Sequence, residues 1–119
     1  MQDRAQFIQD FQRRTKQQAI SAVTIYKKLP NTDESKIIGK QFLRAALSIG
    51  ANYRAACRAR SKAELFAKLS ITVEEADEVL YWIEIMEETK LVRSLDVKDF
   101  YKEASEILAV LSTARKNAR

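Results

Sequence analysis

Between residues 6 and 29 the positions Ile8, Phe11, Thr15, Ala19, Ala22, Tyr26 and Leu29 recur in steps of three or four. That spacing lines up one face of an α-helix. Lys27 and Lys28 close the segment, where cations suit the negative end of the helix dipole. Pro30 stops it, because proline donates no N–H and its ring crowds the preceding turn. Asn31 and Glu34 then have the spacing of a capping box, with Thr32 as an alternative cap, so a second helix is expected over about 33–58. Its stripe is Ile38, Phe42, Ala45, Ile49, Tyr53 and Ala56, with Leu43, Ala46 and Leu47 beside it. Gly39 and Gly50 fall inside the pattern. Each costs about 1 kcal/mol relative to alanine in a helix interior, so a close helix contact or a bend is expected at Gly50.

Ser61 and Glu64 form a second capping box and open a third helix over about 61–89. Phe66, Leu69, Val73, Ala76, Leu80 and Ile83 make a heptad seam along it. A second stripe, Leu65, Thr72, Val79, Trp82 and Met86, widens the apolar arc beyond what one neighbour covers. A final helix over about 96–116 has Val97, Phe100, Ala104, Ile107, Leu111 and Ala114 as its seam and runs into the basic tail Arg115–Arg119. The pattern predicts a single all-α domain over residues 1–119, an antiparallel up-down-up-down four-helix bundle.

Leu43, Leu47, Val79 and Trp82 are surplus to one bundle core, and surplus apolar surface on a small domain points to self-association. Asn52 follows Ile38 and Ala45 by heptad steps, where a polar residue at a seam fixes register at some cost in stability. Glu75, Asp77 and Glu78 are placed to pair with arginines of a neighbouring subunit. Leu43, Leu47, Asn52, Glu75, Glu78, Val79 and Trp82 make up the expected homo-oligomer interface.

Composition removes most chemistry. The chain has 119 residues with two glycines and one proline, too few turn formers for an all-β fold. It has no histidine, which takes away the usual proton shuttle near pH 7 and the commonest metal ligand. The carboxylates of the third helix therefore lack the Glu-x-x-His pattern of di-iron bundles and read as a solvated acidic face. Cys57 has no histidine to activate it. No enzyme activity, metal or cofactor is expected. A lone cysteine fits a reducing cytoplasm. The polar start Met1-Gln2-Asp3-Arg4 shows no signal-peptide core. No apolar run approaches the roughly 20 residues that span a bilayer, so no membrane partner is expected.

The net charge of +5 is unevenly spread: residues 1–30 and 31–60 carry +4 each, 61–95 carry −4, and 96–119 carry +1. Arg54, Arg58, Arg60 and Lys62 crowd the joint between the second and third helices without an intervening acid, and Arg44 precedes Arg54 on an adjacent face. Such a patch meets phosphates, and its repetition around a ring multiplies a weak site. Tyr53 stands close enough to stack on a base, or else belongs to the core. No recognition-helix motif supports sequence-specific readout. The leading expectation is RNA or DNA backbone binding through Arg44, Arg54, Arg58, Arg60 and Lys62. The alternative is a scaffold whose acidic third helix or apolar stripe (Val79, Trp82, Met86) docks a protein.

The segment Gln41-Phe42-Leu43-Arg44-Ala45-Ala46-Leu47-Ser48-Ile49-Gly50-Ala51-Asn52, followed by Arg60-Ser61-Lys62-Ala63-Glu64-Leu65, resembles the bacterial "four helix bundle protein" family. Its named member is encoded in intervening sequences of 23S ribosomal RNA genes. Ile25-Tyr26 with Leu29-Pro30, Glu75-Ala76-Asp77-Glu78 and Leu80-Tyr81-Trp82 extend the resemblance to about residues 10–90. It implies a cytoplasmic bundle, typically a homopentamer, without catalytic activity. A related branch, the accessory variability protein of diversity-generating retroelements, forms a basic pentameric barrel that engages reverse transcriptase and nucleic acid. Gln41, Arg44, Ser48, Asn52, Ser61 and Glu64 carry over from the family pattern, which assigns them no chemical role. Many members have Ala-Glu-Gly after an Asn-Ile pair. Here Tyr53-Arg54-Ala55-Ala56 follows Asn52, which strengthens the cationic joint.

Overall fold

Four helices follow one another along the chain: α1 (Arg4–Lys27), α2 (Asp33–Cys57), α3 (Lys62–Glu88) and α4 (Ser94–Asn117). They belong to a computed structural model that describes residues 3–119. Met1 and Gln2, half of the polar tetrapeptide discussed above, lie outside the described residues.

Local chemistry sets the ends. Asp3 accepts a 2.7 Å hydrogen bond from the Gln6 amide, so α1 starts before its apolar stripe does. Thr32, rather than Asn31, caps α2 by accepting from the Ser35 amide at 3.3 Å. Ser61 caps α3, and Glu64 reaches back to the Arg60 amide at 3.3 Å, one residue beyond the usual box. No side chain caps α4; instead the Arg93 guanidinium grips both carboxylate oxygens of Asp96 at 2.8 and 2.9 Å. At the end of α3 the Leu91 amide bonds the Met86 carbonyl at 2.9 Å and the Lys90 amide bonds Glu87 at 3.1 Å. This is a Schellman closure, and it forces Lys90 to a φ of 65°.

Each helix packs against its neighbours in sequence and α1 closes the ring against α4, while α2 and α4 meet across the centre through core side chains. The contact of α2 with α3 is the most extensive and that of α1 with α4 the slightest. Phe11, Phe42, Ile49, Ile83, Met86, Ile107 and Leu111 fill the centre. The Phe42 and Phe100 rings meet edge-on at 5.5 Å, as do Phe11 and Tyr53 at 4.8 Å. Gln18 of α1 is buried and donates to the Phe100 carbonyl at 3.3 Å, and Arg14 binds both oxygens of Glu103 at 2.9 and 2.7 Å. These polar ties join α1 to α4 where apolar contact is thin. α2 runs unbroken through both glycines, and both face α1. A Cβ on Gly39 would stand 2.7 Å from the Leu29 Cδ1, and one on Gly50 would stand 3.4 Å from the Thr15 Oγ1.

The buried line of α3 is Leu69, Thr72, Ala76, Val79, Ile83 and Met86. It takes alternate members from both expected stripes, because α3 packs against α2 and α4 together and the bundle centre lies between those directions. Phe66, Val73 and Leu80 become flanking residues packed against the core. The expectation for Val79 and Met86 is thereby corrected. Both are fully buried inside one chain, so neither offers surface to a second copy or to a partner.

Candidate nucleic-acid interface

An up-down-up-down topology brings the start of α1, the α2–α3 joint and the end of α4 to one end of the bundle. Arg54, Arg58, Arg60 and Lys62 are exposed there, and Arg4, Lys116 and Arg119 join them. The two acids at that end are engaged: Asp3 caps α1, and Glu64 pairs with Arg60 at 3.4 Å. Arg60 nevertheless leaves 89% of its side chain in solvent. Arg115 turns away along α3, lying 4.9 Å over the Phe66 ring and donating to the Ser70 hydroxyl at 2.7 Å. The three added cations come from the termini. Their signal in the sequence is the topology itself, since four antiparallel helices return both ends of the chain to the α2–α3 side.

Arg44 does not belong to this cluster. It lies ten residues before Arg54, about 15 Å up the helix at 1.5 Å per residue. Its guanidinium donates to Glu78 at 2.7 Å and stands 3.8 Å from Glu75. An attachment of the kind expected between subunits is made within one chain, so Arg44 ties α2 to α3 and stands apart from the cluster at the joint. Tyr53 is also corrected as a stacking surface: its ring is 6% exposed and wedged against Phe11. Burial, reinforced by Cys57 nearby, pushes its phenol well above the ordinary value, so it stays neutral.

The outer α2–α3 face holds most of the residues expected at an oligomer interface. Glu78 accepts from the Trp82 indole at 3.0 Å as well as from Arg44. Glu75 is mostly buried, one carboxylate oxygen finds no hydrogen-bond donor, and burial raises its pKa despite the attraction of Arg44. Leu43 and Trp82 are half-buried and rest on their own core, whereas Leu47 is 46% exposed. Ile71, not singled out by the pattern, is 44% exposed on α3. Asn52 is half-buried beside the core line and makes no side-chain hydrogen bond among the described residues.

A cleft of about 970 Å³ opens at the cationic end, between the first turns of α1, the α2–α3 joint and the last turns of α4. Phe7, Leu65 and Val110 line it, with Arg4, Arg60 and Lys62 also at its walls. Cys57 lines it too and is exposed. Nothing local in the sequence marks this cleft. Among the described residues no three potential metal ligands come together, and no helix is long and apolar enough to cross a membrane.

Residues 9–113 match the profile of the 23S rRNA-intervening sequence protein, which extends the resemblance through α4. A crystal structure from Bacteroides thetaiotaomicron, of a protein with unknown function from the S23 ribosomal protein family, is 32% identical to this chain. The similarity covers 89% of this chain and 98% of that one, with a TM-score of 0.83. None of the curated proteins matches. With a four-helix fold shared along nearly the whole length, the chain belongs to the 23S rRNA-intervening sequence protein family.

Proposed function

We propose that this protein is a non-enzymatic, cytoplasmic homo-oligomer, pentameric as the family resemblance implies, that binds the backbone of RNA or DNA through its cationic end. The observation that carries the reading is the gathering of Arg4, Arg54, Arg58, Arg60, Lys62, Lys116 and Arg119 at one end, where both acids are occupied. Exposed guanidinium and ammonium groups release counterions when they meet phosphates. Self-association would repeat that end around a ring and convert weak contacts into avidity. Exposed apolar side chains support self-association: Leu47 on α2 and Ile71 on α3 stand 46% and 44% in solvent, and a second copy would cover them.

The test is a charge-reversed Arg54/Arg58/Arg60 variant, compared with the parent by light scattering and by gel shift with RNA. It keeps the oligomeric mass and loses RNA retention, and parent binding falls steeply with added salt. Unchanged binding in the variant rejects the site, and a monomeric parent at micromolar concentration rejects the ring. A second reading draws on the outer face of the acidic α3, where Ile71 is exposed and would receive a protein partner, a reverse transcriptase among the candidates. Absence of any nucleic-acid affinity at low salt, with one protein bound through that face, would favour it.

A further inference from the structure

Backbone binding needs no pocket, yet the cationic end has one. Its walls are apolar, with Phe7, Ile8, Leu65, Leu69, Val110 and Ala114 among them. Phe7 is 44% exposed, unusual for a phenyl ring in a folded domain. It lies nearly parallel to Phe11, 8° between planes and 6.1 Å between centroids, and Phe11 is fixed edge-on against Tyr53. Phe7 is thus the open end of a braced aromatic row. Arg4 precedes it by three residues on the same helix and lines the same cleft, while Arg60 and Lys62 line it from the α2–α3 joint.

We infer that this cleft receives unpaired nucleobases, with Phe7 as the stacking face and Arg4, Arg60 and Lys62 on the flanking phosphates, so that the protein prefers single-stranded RNA or DNA over duplex. The inference rests on the cationic end being a polyanion site. Paired bases are stacked inside a duplex and reach no cleft; unpaired bases expose an apolar π-face between two phosphates. An apolar cavity with cations on two separate walls, α1 and the α2–α3 joint, complements that alternation. A fatty carboxylate, with one charge at one end, would use a single wall.

Fluorescence anisotropy against a short labelled single-stranded oligonucleotide and a duplex of equal length tests this, with the full chain and its Phe7→Ala, Phe7→Leu and Phe7→Trp variants. Parent protein binds the single strand more tightly. Phe7→Ala loses about tenfold in single-strand affinity, the size of one base–aromatic stack, and leaves duplex affinity unchanged. Phe7→Leu keeps apolar bulk for folding and shows the same loss, while Phe7→Trp restores binding. Equal affinity for both forms, indifferent to Phe7, overturns the cleft and leaves the cationic end standing. No affinity for either overturns both, and decanoate binding that the Phe7 variants alter without any change in oligonucleotide affinity assigns the cleft to an amphiphile instead.

Discussion

The Arg44 Nη2 lies 2.7 Å from the Glu78 Oε2, and that same oxygen accepts the Trp82 indole N–H at 3.0 Å. One carboxylate thus joins α2 to α3 and orients the one tryptophan of the chain. Because the Arg44 side chain is 53% exposed, water already screens the pair, and such bridges are worth about 1 kcal/mol or less. Arg44→Ala is therefore expected to cost under about 1 kcal/mol in urea unfolding and to leave RNA affinity within twofold of the parent. Any single reversal among Arg54, Arg58 and Arg60 weakens RNA binding more. A large loss of affinity in Arg44→Ala would return that residue to the phosphate site.

Lys90 holds a φ of 65° at the close of α3, where a Cβ crowds the backbone. The helix needs that conformation to satisfy the carbonyls of Met86 and Glu87. Lys90→Gly removes the crowding and keeps both hydrogen bonds, so it stabilises the fold by about 1 kcal/mol. Thermal unfolding checks this; a lower midpoint would mean that the lysine makes a compensating contact.

The ends of the helices at the α1–α2 and α2–α3 joints were legible because short-range chemistry sets them. Thr32 and Ser61 are caps within three residues of the amides they bind, and Pro30 ends α1 by its own covalent structure. The rotation of α3 was not legible, because two apolar stripes of similar strength leave the choice to neighbours more than ten residues away. Val79 went to the core for that reason. The partner of Arg44 was hidden likewise: Glu78 stands 34 residues along, and the pair exists only because α2 and α3 lie side by side. At the cationic end, Arg54–Lys62 are contiguous and visible, whereas Arg4 and Arg119 join them through the topology. The cleft beside them arises where the thin α1–α4 contact opens, a property of packing with no short-range signal.

The two glycines of α2 are expected to differ in sign. A methyl on Gly50 meets Thr15 at 3.4 to 3.5 Å, ordinary contact distance, so Gly50→Ala gains up to about 1 kcal/mol of helix propensity. A methyl on Gly39 meets Leu29 at 2.7 Å and the Tyr26 ring at 3.2 Å, and overpacking of this kind costs about 1–3 kcal/mol. Gly39→Ala is thus neutral to destabilising by about 2 kcal/mol once the propensity gain is deducted. Denaturant midpoints of the two variants on either side of the parent confirm the asymmetry. If Gly39→Ala is the more stable variant, the α1–α2 approach is looser than these distances.

Glu75 and Asp96 work in opposite directions on acid stability. Burial raises the Glu75 pKa against the pull of Arg44, with Glu78 and Glu74 adding to the rise. Arg93 lowers that of Asp96. A carboxyl whose folded pKa exceeds its unfolded value binds protons more readily when folded, so its contribution is lost as pH climbs from the ordinary carboxylate range to the raised value. Asp96 acts below its ordinary value, where stability falls as acid is added. Glu75→Gln mimics the protonated form and keeps the volume. It is expected to be more stable than the parent at pH 7 and to flatten the slope of stability between about pH 4 and the raised pKa. The acid limb governed by Asp96 stays in place. Urea titrations of parent and variant across that range decide the matter. A variant less stable at pH 7 would show that the Arg44 attraction outweighs the burial of the Glu75 charge.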